Sequence, residues 1–252
     1  MNLIKNISRK VTLKVITSGR IRAQNEANTF IKNNPELNAL KKHYKSHSTS
    51  TGVSAADVKF IYNRIIERKY KSIIEFGSGH TTGFIALALK HLWENSSEKP
   101  KFVTYESQAQ YFENAKKCLP EELHEWVDFK LSPRVRKNFG ILHGVAYEEV
   151  SHGPFDLAFV DGPPEKLDNL KLFSLDILNV LEAQDLPIDV LVDSRMRTMM
   201  ALKLALRPGT VKFSAVQDMG ILDQLHKDDL VVTSNGMQNF RDQFNRVGLF
   251  NL

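Results

Sequence analysis

The sequence predicts an α/β fold, a doubly wound and mostly parallel sheet with an N-terminal helical appendage. Three observations carry this expectation. Short apolar runs bounded by turn residues alternate with helical patterns along most of the chain, as strands joined by crossover helices do. The runs are apolar throughout rather than alternating, which strands covered on both faces require. The chain has 252 residues, 42% hydrophobic and 25% charged, enough to bury such a sheet and unlike a disordered or fibrous composition.

At the start of the chain, Leu3, Ile4, Ile7, Val11 and Val15 follow helical spacing with Lys5 and Arg9 on the other side. This predicts a basic amphipathic helix, although VTLKVIT also alternates with period two. Three uses remain open for residues 1–25: packing on the chain's own domain or a partner subunit, docking on an anionic membrane with Lys10 and Lys14 flanking the stripe, or targeting. Residues 23–52 are polar, end in HSTSTG and predict a linker, dividing the chain into an extension (1–50) and an α/β domain (51–252). Ser54 reads as the N-cap of a helix, with Asp57 three residues on and Val58, Ile61, Tyr62, Ile65 and Ile66 on one face. The alternation then runs strand 72–76, helix 82–93, strand 102–105, helix 109–118 and strand 127–131. It continues through strand 157–161, helix 166–181, strand 189–192 and helix 196–206 to final strands near 211–216 and 230–233.

Cys118 is the single cysteine, which excludes an intramolecular disulfide and a cysteine-rich zinc site and fits a reducing, cytoplasmic compartment. No apolar stretch reaches the roughly 20 residues of a membrane span, so a soluble or membrane-peripheral protein is expected. The net charge of +5 sits in the extension: residues 1–50 hold ten Lys/Arg and two acids, +8, leaving −3 for the rest. Nucleic acid is therefore not the expected partner. Homo-oligomerisation stays open.

In sheets of this class the ligand crevice lies beyond the carboxyl ends of the strands. Those ends carry Glu75 with a Gly-Ser-Gly turn, then Glu106, Ser132, Asp161 with Gly-Pro-Pro, and Asp193 with Ser194. Four of five carry a carboxylate, and clustered carboxylates repel, so stability alone does not ask for them. Gly77 and Gly79 allow a ligand to approach the main chain, Thr81 or Thr82 caps the next helix, and Glu106 suits a ribose diol.

The segments EFGSGHTT and FDLAFVDGPP resemble motifs of class I S-adenosylmethionine-dependent methyltransferases, in particular small-molecule and glycan O-methyltransferases. The resemblance spans roughly residues 50–216, with Thr81 standing where the common motif has a third glycine. It implies a seven-stranded Rossmann-like sheet and S-adenosylmethionine as cofactor, held by Glu75, Gly77, Ser78, Gly79, Thr81 and Thr82 at its methionine part and by Glu106 at the ribose. Tyr105 or Ser107 would border the adenosine, Ser132 the adenine, and Asp161 would orient the sulfonium or act in catalysis. Similarity to catechol-type enzymes further implies a divalent ion, Mg²⁺ or Mn²⁺, on Asp161, Asp193 and Ser194, with Ser194 where that group has Asn. Asp193 as a helix cap is the other reading. Asp161, Lys166, His80 and His143 are the candidate general bases, and the sequence does not choose among them.

His152, Tyr147 and His143 fall where an acceptor pocket or a hairpin is expected, and Arg195 and Arg197 suit an anionic acceptor or a solvated helix face. The expected function is O-methylation of a small-molecule or glycan hydroxyl. The rivals are a nicotinamide-dependent oxidoreductase, disfavoured by Thr82 at the third glycine of G-x-G-x-x-G, and a non-catalytic cofactor-binding scaffold.

Overall fold

The computed structural model describes residues 2–48 and 53–237, without the side chains of residues 2–11 and 237. Helix α1 (Asn2–Asn33) is followed at once by α2 (Pro35–His47), so the stretch expected as a linker is helical almost throughout. The Asn34 side chain accepts a hydrogen bond from Leu37 N–H at 3.2 Å and Pro35 opens the first turn, a strong start signal inside a polar region. Ala27, Ile31, Leu37, Leu40 and Tyr44 are buried in the same cluster as α3 (Ala55–Arg68). Each large apolar side chain buried there contributes about 1.5–3 kcal/mol, which fixes α2 to the domain. Ser54 caps α3 as predicted, accepting from Asp57 N–H at 3.1 Å.

The central sheet has seven strands: β1 (Ser72–Phe76), β2 (Lys101–Glu106), β3 (Asp128–Leu131), β6 (Leu157–Val160), β9 (Ile188–Asp193), β10 (Lys212–Ser214) and β11 (Met219–Leu225). Between β3 and β6 a hairpin forms from β4 (Arg134–Phe139) and β5 (Leu142–Tyr147). The sheet order is β10-β11-β9-β6-β1-β2-β3, with the five strands from β9 to β3 parallel and β11 antiparallel to both neighbours. Strand residues alternate between two cores. Ile73, Phe102, Leu157, Phe159 and Leu191 join α1 to α3 and α4 (His80–Trp93). Ile74, Phe76, Val103, Ala158 and Val190 join the hairpin, α6 (Asp176–Glu182) and α7 (Met196–Ala205). The sheet is doubly wound, as expected, and α5 (Ala109–Cys118) packs beside β2 and β3.

Two expectations are corrected. The helix expected over 166–181 is instead a small hairpin, β7 (Lys166–Leu167) and β8 (Leu170–Lys171), followed by the short α6. Asp168 and Asn169 both take positive φ, 47° and 65°, the backbone of a tight two-residue hairpin turn that Asp and Asn tolerate. The seventh strand is β11, not residues 230–233. Leu230 only bridges Leu206, and β12 (Val232–Thr233) pairs with β13 (Gly236–Met237) outside the central sheet. β11 contains Gly220, where a Cβ would come within 2.6 Å of Met199 Sδ, so close packing of α7 on the sheet explains a glycine in a strand.

Candidate functional site

The chain order reverses at β1, with β2 and β3 on one side and β6 and β9 on the other, so a crevice opens at the carboxyl ends of β1 and β6. There the glycine turn meets the Asp161–Pro164 loop backbone to backbone. A Cβ on Gly77 would lie 2.7 Å from the Asp161 carbonyl carbon, and one on Gly162 would lie 2.6 Å from Gly77 Cα. Gly77 also has φ +99°, a region L side chains avoid. The Tyr105 carbonyl accepts from Gly77 N–H at 2.8 Å, Ser78 N–H at 3.1 Å and Tyr147 Oη at 3.0 Å, clasping the turn from below.

Above this floor lies a cleft of about 280 Å³ lined by Ser78, His80, Glu106, Asp161, Arg195 and, from the N-terminal extension, Tyr44 and Ser48. Four buried polar atoms in its walls have no hydrogen-bond partner: Tyr44 Oη, Ser78 Oγ, His80 Nε2 and Arg195 Nε. Buried donors and acceptors are rarely left unpaired, and these four, without a partner among the described residues, are available to a polar ligand. A Cβ on Gly79 would meet nothing within 4 Å, leaving the main chain open to that ligand.

Glu75 lies beneath the loop, fully buried, and does not line the cleft. Gly79 N–H donates to Thr82 Oγ1 at 3.0 Å, and Thr82 donates on to Glu75 Oε2 at 2.6 Å, with Thr104 Oγ1 at 2.7 Å beside it. The carboxyl thus braces the turn, and burial pushes its pKa up to about 7. Thr81 is buried as well; the helix begins at His80 with Gly79 in the N-cap position, and Thr82 closes the cap from the third helical position by accepting the Gly79 N–H. Glu106 lines the cleft. Its Oε1 accepts from Ser107 N–H at 2.6 Å and Gln108 N–H at 2.9 Å. Oε2 has no such partner among the described residues, so one oxygen, not both, is free for a ligand. Burial raises its pKa against those two N–H donors.

Tyr105 and Ser132 are not in the cleft. The Tyr105 ring turns into the core, where its hydroxyl accepts from Ser151 N–H at 2.6 Å, and Ser132 Oγ accepts from Glu149 N–H at 3.1 Å. The residues that border the cleft beyond Glu106 are Gln108, Tyr111, Asn114 and Cys118 of the α5 region. Their spacing, one helix face starting two residues after a strand-ending acid, is a signal the sequence does contain. Tyr44 has no such signal. It is buried, stacks on His80 at 4.4 Å and 21°, and rests where a Cβ of Gly83 would be 2.1 Å from its hydroxyl oxygen.

Asp161 is partly exposed in the cleft and paired with Arg195, whose Nη2 donates to Oδ1 at 3.3 Å and whose Nη1 donates to Pro163 O at 2.8 Å. Burial raises the Asp161 pKa, and Arg195 opposes the shift. Asp193 and Ser194 line a separate cleft of about 540 Å³ against α1 and the β10–β11 turn. Burial, then the charges of Asp161 and Asp57, push Asp193 up to about 7. Among the described residues no three His, Cys, Asp or Glu converge to hold a metal. Asp161 carries a guanidinium in one cleft while Asp193 and Ser194 line the other, so this arrangement does not gather the three residues expected to hold a divalent ion around one space. Of the candidate bases, Lys166 is exposed on the β7–β8 hairpin and His143 is exposed with Nδ1 bonded to Asn138 Oδ1 at 2.7 Å; neither lines the cleft. Arg197 pairs with Glu165 at 3.3 Å, outside it.

No protein-family model matches the chain, and no curated protein matches it either. Solved structures do. A protein of Staphylococcus aureus assigned as a caffeoyl-CoA O-methyltransferase is 13% identical, with 80% of this chain and 99% of that one covered at TM-score 0.51. One of Klebsiella pneumoniae assigned as an O-methyltransferase is 16% identical, covering 79% and 95% at TM-score 0.50. The chain has the methyltransferase fold. A cofactor-bound protein from MTB shares this methyltransferase fold at 15% identity, covering 77% and 91% with TM-score 0.50. What the chain has in common with them is the seven-stranded, mostly parallel sheet flanked by helices.

Proposed function

We propose that the protein is an S-adenosylmethionine-dependent methyltransferase that methylates a hydroxyl of a small molecule or glycan. The observation that carries the reading is the cleft at the strand switch point, where an open glycine turn, the free oxygen of Glu106 and four unpartnered polar atoms face one space. These groups suit a ligand with an amino-acid end and a ribose. Gly79 and Ser78 would hold the amino-acid end and Glu106 one ribose hydroxyl. When bound, the cofactor supplies an electrophilic methyl group on a sulfonium.

The chain's own residues then have three tasks. Glu75, through Thr82, keeps the turn in place. Asp161 would offer a carboxylate to the cofactor's cationic centre, with Arg195 fixing its orientation. His80 takes the acceptor's proton: burial lowers its pKa, so the ring is neutral at pH 7, and its Nε2 has no other partner. His80 Nε2 would receive the proton that the acceptor hydroxyl gives up as its oxygen takes the methyl group.

Isothermal titration with S-adenosylhomocysteine and S-adenosylmethionine tests the reading. Micromolar binding of both is expected, with no response to NADH or NADPH. A folded protein that binds neither adenosyl ligand refutes it.

A further inference from the structure

A second feature of the molecule is independent of the cleft. Helix α1 meets the domain along one side only. Gly19 lies against Val216, with 3.3 Å from a Cβ built there to Val216 Cγ2, and Ala27 and Ile31 are buried in the core. Residues 19, 23, 27 and 31 lie on one side of a helix with 3.6 residues per turn. The apolar row of the sequence, Ile4, Ile7, Val11 and Val15, continues towards Ile21 on roughly the opposite side. Where the structure describes that side, it is uncovered: Val15 is 65% exposed, and Ile21, at its edge beside the Asp193 cleft, 58%.

Charge indicates what covers it. Residues 1–25 contain Lys5, Arg9, Lys10, Lys14, Arg20 and Arg22 and no acid. Arg20 is tied to Asp218 and the Ala215 carbonyl and anchors the helix to the domain, and Arg22 pairs with Glu26 one turn along the same helix. Lys5, Arg9, Lys10 and Lys14 belong to the leading half. An apolar stripe flanked by lysines, without a compensating acid, matches an anionic bilayer surface, where the stripe enters the headgroup boundary and the ammonium groups snorkel to phosphates. Pairing this face with the same face of a second copy would set these cations against one another.

We propose that the first half of α1 docks the protein peripherally on an anionic lipid surface. None of the helices described is long and apolar enough to cross a membrane, so the contact is interfacial. The test is vesicle flotation of the full chain with phosphatidylcholine alone and with phosphatidylcholine containing phosphatidylglycerol. Binding is expected only to the second and should fall as salt rises from 50 to 500 mM. Each basic side chain at such a surface strengthens binding about fivefold, so K10E/K14E should weaken it at least about twentyfold. V15E/I21E alters exposed positions and should abolish binding without shifting the melting temperature. Equal recovery with both vesicle types, or binding that ignores both double variants, overturns the proposal. So does a dimer by light scattering that V15E/I21E dissociates while neither vesicle binds.

Discussion

Replacing Glu75 with Gln should change the pH dependence of stability more than stability itself at acid pH. Glu75 is fully buried, accepts hydroxyls from Thr82 and Thr104 on Oε2, and has no hydrogen-bond partner on Oε1. Burial raises its pKa from 4.5 to about 7. A carboxyl with a folded pKa above its unfolded one holds its proton more tightly in the folded state. That stabilising contribution is complete below about pH 4.5 and is lost as pH rises through about 7. At about 1.4 kcal/mol per pKa unit, the difference is about 3 kcal/mol between pH 4.5 and pH 8. Gln resembles the protonated acid and can still accept from Thr82, so it does not lose this contribution. Thermal melts of both proteins at pH 5 and pH 8 should coincide within a few degrees at the lower pH. At the higher pH the variant should melt about 6–12 °C above the wild type. A difference that stays constant from pH 5 to pH 8 would refute the account of Glu75 as a neutral brace.

Glu106→Ala should weaken S-adenosylhomocysteine binding by about 1.5–3 kcal/mol by calorimetry, and Glu106→Gln less, since one oxygen still meets the Ser107 and Gln108 N–H groups. Gly83→Ala places a Cβ on the Tyr44 hydroxyl and should cost about 1–3 kcal/mol in denaturant melts while weakening the same ligand. EDTA should leave cofactor binding and transfer unchanged, and Mn²⁺ should show no tight binding by electron paramagnetic resonance. A Mn²⁺ signal that Asp161→Asn removes would restore a metal site.

Strands β1, β2, β6 and β9 were legible because each is a short apolar run buried on two faces and closed by a glycine turn or an acid. Glu106 and Asp161 could be placed at the cleft because strand direction fixes where such residues emerge. The turn Asp168–Asn169 was not legible as a hairpin, because KLDNLK also scans as a helix face and only backbone angles distinguish the two. Tyr105 shows a different limit. Its carbonyl holds the glycine turn while its ring points into the core, and sequence position alone does not separate these roles. Tyr44 is further still from sequence reasoning. Its place depends on α2 packing across α4, a long-range contact that Gly83 permits and local pattern does not announce.

The floor of the cleft is peptide backbone against peptide backbone, at Gly77 and Gly162. No side chain there is available for refinement, so selection on acceptor choice has to act on the walls. A library randomised at positions 77 and 162 should therefore return glycine at both, whereas position 79, open above, tolerates small residues. The two loops are also mechanically interlocked: Asp161 N–H is bonded to Phe76 O at 2.8 Å, one residue before Gly77. Displacing the turn would carry the acid with it, so the groups assigned to cofactor and to chemistry keep a common frame while the surrounding helices diversify.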